Sequence, residues 1–258
     1  KDDRFVMYLG DNIIRDGINE LVGQFIENKP NSQILLARVS NPSQFGVAEL
    51  NGNLIVRLEE KPKKPRSDLA LVGVYMFDSN VFKAVHSIKP SWRGELEITD
   101  AISWLIEKGY AVEPYIIKGW WKDTGKLEDL LEANRIILDM IDCECKVKLE
   151  GGSRLEGKVA VEEGAVIENS VVRGPAVIGA GAKVSNSYIG PFTSVGPGAK
   201  VVNSEIEHSI LLDDSEVSDI AGRITDSLIG RAAKVTRSAG TPRALSFMLG
   251  DQSEATLL

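Results

Sequence analysis

Two periodicities divide the chain. Up to about Ile141, short apolar runs alternate with helical patterns. Ile18, Leu21, Val22, Phe25 and Ile26 recur at helical spacing, as do Ile98, Ala101, Ile102, Leu105 and Ile106, so each set predicts one apolar helix face. Strands are predicted at Phe5–Leu9, Ile34–Val39, Leu54–Leu58, Leu71–Phe77 and Val112–Ile117. A last helix, Leu127–Met140, carries Leu127, Leu130, Leu131, Ile137 and Leu138. This alternation predicts an α/β layer fold with at least some parallel strands.

From about Leu155 the spacing changes. Aliphatic residues return every five or six positions: Leu155, Val161, Ile167, Val172, Ile178, Val184, Ile189, Val195, Val201, Ile206 and Leu212. Every third member steps by 17, as in Val161, Ile178, Val195 and Leu212, with Gly164, Gly181 and Gly198 in register. Neither a helix nor an amphipathic strand has that period. Three short strands per turn of a triangular coil do, with the aliphatic residues stacked inside and small residues at the corners. The pair Asn-Ser repeats at Asn169-Ser170, Asn186-Ser187 and Asn203-Ser204, then returns as Asp226-Ser227 after a longer gap. An insertion in one coil, around Ser218 to Arg223, is the expected cause.

Composition narrows the function classes. The 258 residues are 43% hydrophobic and 26% charged, which suits one or two cored domains and excludes a disordered chain. Acidic residues outnumber basic ones 37 to 30, giving a net charge of −7. With no long basic run, a nucleic-acid partner is not expected. No apolar run reaches the roughly 18 to 20 residues that cross a bilayer, and no apolar signal-peptide core opens the chain, so no membrane partner and a cytoplasmic protein are the expectations. Cys143 and Cys145, one residue apart, are too close for an unstrained disulfide and too few for a structural zinc site, so both are expected to be reduced and inert. Lys1 leads almost directly into a strand, which reads as a chain cut at its amino end.

Four segments carry candidate chemistry. Leu9-Gly10-Asp11-Asn12 ends the first strand, where an Asp can hold a metal ion, although Gly-Asp-Asn is also ordinary turn chemistry. Glu60-Lys61-Pro62 pairs a carboxylate able to accept sugar hydroxyls with an ammonium able to neutralise phosphate, or is a solvated turn together with Lys63, Lys64 and Arg66. Arg93-Gly94-Glu95 could seat a phosphate or flank a helix. In Trp120-Trp121-Lys122-Asp123-Thr124-Gly125, Asp123 is either a second metal carboxylate or a helix cap. Two Asp residues on separate strand ends would suit Mg²⁺ bridging phosphate oxygens. His208 is the one histidine of the repeat region and a candidate general base only if a substrate meets it there.

Taken together, these segments resemble the sugar-1-phosphate nucleotidylyltransferase family, particularly its long-form glucose-1-phosphate thymidylyltransferases. The matching stretches are Leu9-Gly10-Asp11-Asn12, Phe45-Gly46-Val47, Glu59-Glu60-Lys61-Pro62, Gly73-Val74-Tyr75, Arg93 through Asp100, and Gly119 through Gly125, followed by the repeats and the ending Leu249-Gly250-Asp251-Gln252-Ser253-Glu254. The resemblance implies an incomplete Rossmann-like nucleotidyltransferase domain followed by a left-handed β-helix of hexapeptide-type repeats. It implies that Asp11 and Asp123 bind Mg²⁺ and that Asp11, Lys61 and Asp123 are catalytic. It further implies that Gly46, Glu60 and Gly73 line the sugar site, while Lys61, Tyr75 and Arg93 seat the phosphate. The implied partners are glucose 1-phosphate and a nucleoside triphosphate, dTTP favoured, with a homo-oligomer expected. The implied reaction is attack by the sugar phosphate on the nucleotide α-phosphorus, giving dTDP-glucose and pyrophosphate.

One departure stands beside these matches. Family members open with a strand and a glycine-rich loop followed by Arg and Lys residues that hold the triphosphate, and nothing in this chain corresponds to that segment. A truncation of roughly 80 to 100 residues and poor activity are therefore expected, with an apolar sheet edge or face exposed and the β-helix the more stable part. The expected division is 1–142 for the α/β part, 143–241 for the β-helix and 242–258 for a tail. Two other function classes remain open from the residues alone: a β-helix sugar-phosphate acetyltransferase using His208, and a non-catalytic assembly module.

Overall fold

The computed structural model describes residues 3–147, 149–237 and 254–256. The ending Leu249–Glu254 lies outside them apart from Glu254, as does the expected tail apart from 254–256. The chain divides into two compact units, Lys1–Asp129 and Leu130–Leu258. No helix among the described residues is long and apolar enough to cross a membrane.

The first unit is built on a mixed sheet. In chain order its elements are β1 (Phe5–Tyr8), β2 (Asn12–Ile14), α1 (Asn19–Asn28), β3 (Ser32–Arg38), β4 (Gly46–Asn51), β5 (Leu54–Glu60), β6 (Leu69–Phe77), α2 (Asn80–Ser87), α3 (Ile98–Glu107), β7 (Val112–Ile116) and β8 (Trp121–Asp123); α4 (Leu127–Asp139) follows. The sheet order is β5-β4-β6-β3-β7, with β1 antiparallel to the far half of β6. Only β3 and β7 run parallel in this sheet. All nine residues of β6 are buried because both faces are covered. Leu69, Leu71, Tyr75 and Phe77 pack with α2 and α3 through Val81, Ala84, Ile102 and Leu105, while Val72, Val74 and Met76 meet Leu21 and Phe25 of α1. A strand covered on both faces reads as a continuous apolar run, which is why β6 was legible. On β1, by contrast, Val6 and Tyr8 are 40% and 43% exposed.

Strand β4 and helix α2 carried no clear sequence signal. The β4–β5 turn is set by Gly52 at φ 61° in a two-residue link between paired Asn51 and Leu54. The α2 pattern was ambiguous because Val81 and Ala84 are buried while Phe82 and Val85 on the same short helix are exposed.

The second unit is a three-sided parallel solenoid of about five turns, consistent with a left-handed β-helix. Each strand pairs with the strand one coil on, so three sheets run down the prism. Val161, Ile167, Val172, Ile178, Val184, Ile189, Val195, Val201 and Ile206 are all 0 to 1% exposed inside it. The corners turn through left-handed residues except at Gly174-Pro175, where the peptide bond is cis. One column holds Asn169, Asn186, Asn203 and Asp219; the next holds Gly157, Phe192, His208 and Asp226; the third holds Gly164, Gly181, Gly198, Asp214 and Ala232, all at positive φ. Behind the asparagines a serine column replaces lost backbone partners. The N–H of Ser187 donates to Ser170 Oγ at 3.0 Å, Ser204 N–H to Ser187 Oγ at 3.2 Å, and Ile220 N–H to Ser204 Oγ at 3.2 Å.

Two details of the expected register are corrected. The fourth interior residue of the Val161 column is Leu211, not Leu212: Val195 pairs with Leu211, whereas Leu212 is 39% exposed. The corner at His208 is one residue tighter than its predecessor at Phe192, which shortens that coil step to 16. Asp226-Ser227 does not continue the Asn-Ser column either, since Ser227 N–H donates to Ser209 Oγ at 3.1 Å and the pair stacks on the His208 corner. Asp219 takes the asparagine position instead, with Asn203 Nδ2 donating to its Oδ1 at 2.7 Å. The insertion falls within the expected segment, because Glu205 pairs with Arg223, 18 residues on.

Candidate active site

Strands β2 and β8 form a separate two-stranded ribbon that places Asn12 opposite Asp123. Thr124 closes the junction by donating its backbone N–H at 2.7 Å and its hydroxyl at 2.9 Å to the carbonyl of Asp11. The two candidate metal carboxylates are therefore held on neighbouring chain segments. Asp11 Oδ1 accepts from Asn12 Nδ2 at 2.8 Å, and Asp123 Oδ1 accepts from the Gly125 N–H at 2.8 Å. Each leaves its other carboxylate oxygen without a hydrogen bond among the described residues.

Asn12 is the residue the sequence reading passed over as turn chemistry. It is 7% exposed, and its Oδ1 accepts both the Gly73 N–H at 3.0 Å and Trp121 Nε1–H at 2.7 Å. One buried amide thus ties together three of the segments, with every polar atom used. Gly73 has to lack a side chain here: a Cβ would run into Asn12 Nδ2 and lie 2.9 Å from Asn12 Cγ. The Trp121 ring meets Phe45 edge-on at 5.3 Å, and the carbonyl of Phe45 accepts the Lys61 N–H at 3.1 Å. Lys61 adopts the left-handed region at φ 41°, turning the chain at the end of β5.

Glu60, opposite Gly46 in the β4–β5 register, is the centre of a second cluster. Thr99 Oγ1 donates to Glu60 Oε2 at 3.3 Å, and Arg93 Nη1 lies 3.7 Å from Glu60 Oε1. A Cβ on Gly46 would sit 2.7 Å from Thr99 Cγ2 and 3.1 Å from Glu60 Oε2. Arg93 also reaches Glu97 Oε1 at 3.3 Å and Glu95 Oε2 at 3.0 Å. Glu97 stands at the N-cap of α3 but makes no side-chain cap bond. Its carboxylate instead accepts Ser91 Oγ–H at 2.8 Å and fixes the Arg93 loop. A helix-cap reading of this segment missed that role, and Thr99 with it.

Burial pushes the Glu60 carboxyl above its usual range, with the charge of Glu97 adding to the rise and Thr99, Lys61 and Arg93 opposing it. The Tyr75 hydroxyl is raised by burial first, then by Glu60 and Asp11, so it stays neutral near pH 7 and feels both clusters. Asp100 is raised by burial and by Glu97. Asp11, Gly46, Glu60, Lys61, Gly73, Tyr75, Arg93 and Asp123 are thereby linked, through Asn12, Phe45, Trp121, Thr99 and Glu97, into one polar assembly in the first unit.

Within the repeat region, His208 sits on a corner of the solenoid at φ 45°. Its Nδ1 meets Asp226 Oδ1 at 2.5 Å and its ring faces Phe192 edge-on at 6.2 Å. Cys143 and Cys145 are both free thiols on the surface.

Comparison with known proteins places this assembly in context. Residues 1–140 match the family model described as nucleotidyl transferase. A glucose-1-phosphate thymidylyltransferase of Streptomyces griseus is 48% identical over 257 residues, covering 99% of this chain and 72% of that protein. One from Streptomyces antibioticus is 50% identical over 258 residues, with the same 99% and 72% coverage. The low-salt glycan biosynthesis nucleotidyltransferase Agl11 of Haloferax volcanii is 42% identical over 261 residues, again covering 99% of this chain and 72% of its own length.

Proposed function

Because this chain belongs to the nucleotidyl transferase family, we propose that its first unit binds a sugar 1-phosphate and serves transfer of a nucleotidyl group to it, with glucose 1-phosphate and dTTP as the favoured pair. The observation that carries the reading is the half-buried Glu60 carboxylate faced by Arg93, next to a Lys61 whose backbone is tied through Phe45 and Trp121 to Asn12 on the Asp11–Asp123 ribbon. Glu60, as carboxylate, accepts hydrogen bonds from sugar hydroxyls, while Gly46 and Gly73, lacking side chains, let Thr99 and Asn12 pack directly against their strands. Lys61 and Arg93 balance the phosphate, whose oxygen attacks the α-phosphorus; the new P–O bond forms as the bond to pyrophosphate breaks.

Asp11 and Asp123 offer hard oxygen donors with one free carboxylate oxygen each, which fits magnesium held by one or two carboxylates and completed by substrate phosphates. When bound, that ion would offset phosphate charge and help orient the reacting groups. The test of this reading is pyrophosphate release from glucose 1-phosphate, dTTP and Mg²⁺. Release requiring all three supports it, and release that does not depend on glucose 1-phosphate would refute it.

Glu60→Gln tests the sugar subsite. Losing a charged acceptor is expected to weaken glucose 1-phosphate binding about 10- to 100-fold by calorimetry. The native pKa of Glu60 is raised, so its contribution to stability is full below the unfolded value and lost as pH rises through the native one. Glu60→Gln should therefore raise the melting temperature slightly at pH 7 and leave it unchanged near pH 4. Wild-type binding should in turn weaken as acid protonates Glu60. Unchanged affinity in the variant would remove Glu60 from the site.

A further inference from the structure

The turn between β5 and β6 has the sequence Lys61-Pro62-Lys63-Lys64-Pro65-Arg66, a concentrated positive charge on a chain of net charge −7. The sequence alone reads it as a solvated turn, but the structure pins it at both ends. Pro62 is buried, and Ser67 donates its hydroxyl to the carbonyl of Ala48 and accepts the Leu69 N–H at 3.2 Å. Two prolines further restrict the backbone between these anchors. The turn is a short fixed arch with Lys63 and Lys64 exposed on it.

The surrounding charges are already matched. Arg57 pairs with Glu59 at 2.9 Å, and Arg66 lies 3.9 Å from Glu49. Neither Lys63 nor Lys64 has an ion pair or side-chain hydrogen bond among the described residues. Lys63 is two residues from Lys61, so their Cα atoms lie within about 7 Å, inside the Debye length of roughly 8 to 10 Å at ordinary salt. Two unpaired ammonium groups on a fixed arch beside a phosphate-seating lysine suit a ligand with several adjacent negative charges better than a monophosphate.

We propose that the Pro62–Ser67 arch is an accessory polyphosphate-docking site, in which Lys63 and Lys64 capture the phosphate chain of the nucleotide substrate or the pyrophosphate product. The inference rests on the nucleotidyl-transfer reading for its ligand class, and concerns a contact separate from the sugar subsite. Pyrophosphate and tripolyphosphate are the probes, titrated calorimetrically at 50 and 200 mM NaCl. The double variant Lys63→Gln, Lys64→Gln is expected to bind both about tenfold more weakly at the lower salt, with a shallower salt dependence and unchanged glucose 1-phosphate affinity. Lys183→Gln with Lys200→Gln, which removes the same charge from the solenoid, should change nothing.

Several results would overturn the arch. Wild-type chain that binds neither polyphosphate refutes it, as does equal polyphosphate affinity in the arch variant, or an equal loss in the solenoid control. Parallel loss of glucose 1-phosphate affinity also refutes it, by assigning the lysines to the sugar-phosphate subsite. Failure of wild type to bind glucose 1-phosphate sinks the functional reading instead, so the two failures are told apart within one set of titrations.

Discussion

Asp123→Asn is expected to cut magnesium-dependent pyrophosphate release by at least about 100-fold, a loss of roughly 3 kcal/mol of transition-state stabilisation. The exchange is chosen for what it keeps. Asn retains an Oδ1, so the Gly125 N–H keeps an acceptor, and the β2–β8 pairing and the Thr124 bonds to Asp11 do not involve the altered atom. The melting temperature should therefore move by no more than about 2 °C, as for a substitution that creates neither cavity nor orphaned group. Affinity for Mn²⁺ in the presence of pyrophosphate, read by electron paramagnetic resonance, should fall with the activity. Unchanged release and unchanged metal affinity would show that Asp123 is a structural cap, the reading its position before α4 first allowed.

The largest stability effect is expected in the solenoid. Ile178 is fully buried between Val161 and Val195 in one interior column, and its strand is paired on both sides. The rungs are held about 4.8 Å apart by backbone hydrogen bonds, so they cannot close over a missing side chain. Ile178→Ala should then cost about 3 to 5 kcal/mol, in the upper part of the range for such truncations. Val235, on the last described strand and 36% exposed, gives the contrast: Val235→Ala should cost about 1 kcal/mol or less. Hydrogen exchange resolved by peptide should show the Ile178→Ala loss strongest in the adjacent coils, because a solenoid's contacts are with its nearest neighbours. Equal effects from the two variants would contradict a core continuous through the middle coils and open at the end.

The solenoid was the most legible part of the molecule because its signal is redundant. An aliphatic position every five or six residues, backed by left-handed Gly and Asn corners, specifies side, corner and coil several times over. The reading slipped where one coil is short and the next long, since a fixed step of 17 carried Leu212 inward in place of Leu211 and aligned Asp226 with the wrong corner. In the α/β unit, elements with both faces buried or a clean helical period were readable, and β4, α2 and the short β2–β8 ribbon were not. The ribbon is held by pairings between residues more than 100 positions apart, for which a local pattern has no counterpart.

The site was legible as motifs but not as a network. Asp11, Glu60, Lys61, Arg93 and Asp123 stand out by charge and position. Asn12, Thr99 and Glu97 do not, because each doubles as an ordinary turn or helix-start residue. Only the hydrogen bonds of Asn12 to Gly73 and Trp121, of Thr99 to Glu60, and of Glu97 to Ser91 and Arg93 distinguish these from caps.

The most direct test of the account is calorimetric titration of the 258-residue chain with glucose 1-phosphate, run beside glucose and inorganic phosphate at the same concentrations. If Glu60 and the Lys61–Arg93 cations form one sugar-phosphate site, glucose 1-phosphate binds saturably at a single site that neither half-ligand fills. Absence of glucose 1-phosphate binding, or phosphate binding as tightly as the intact sugar phosphate, would contradict it.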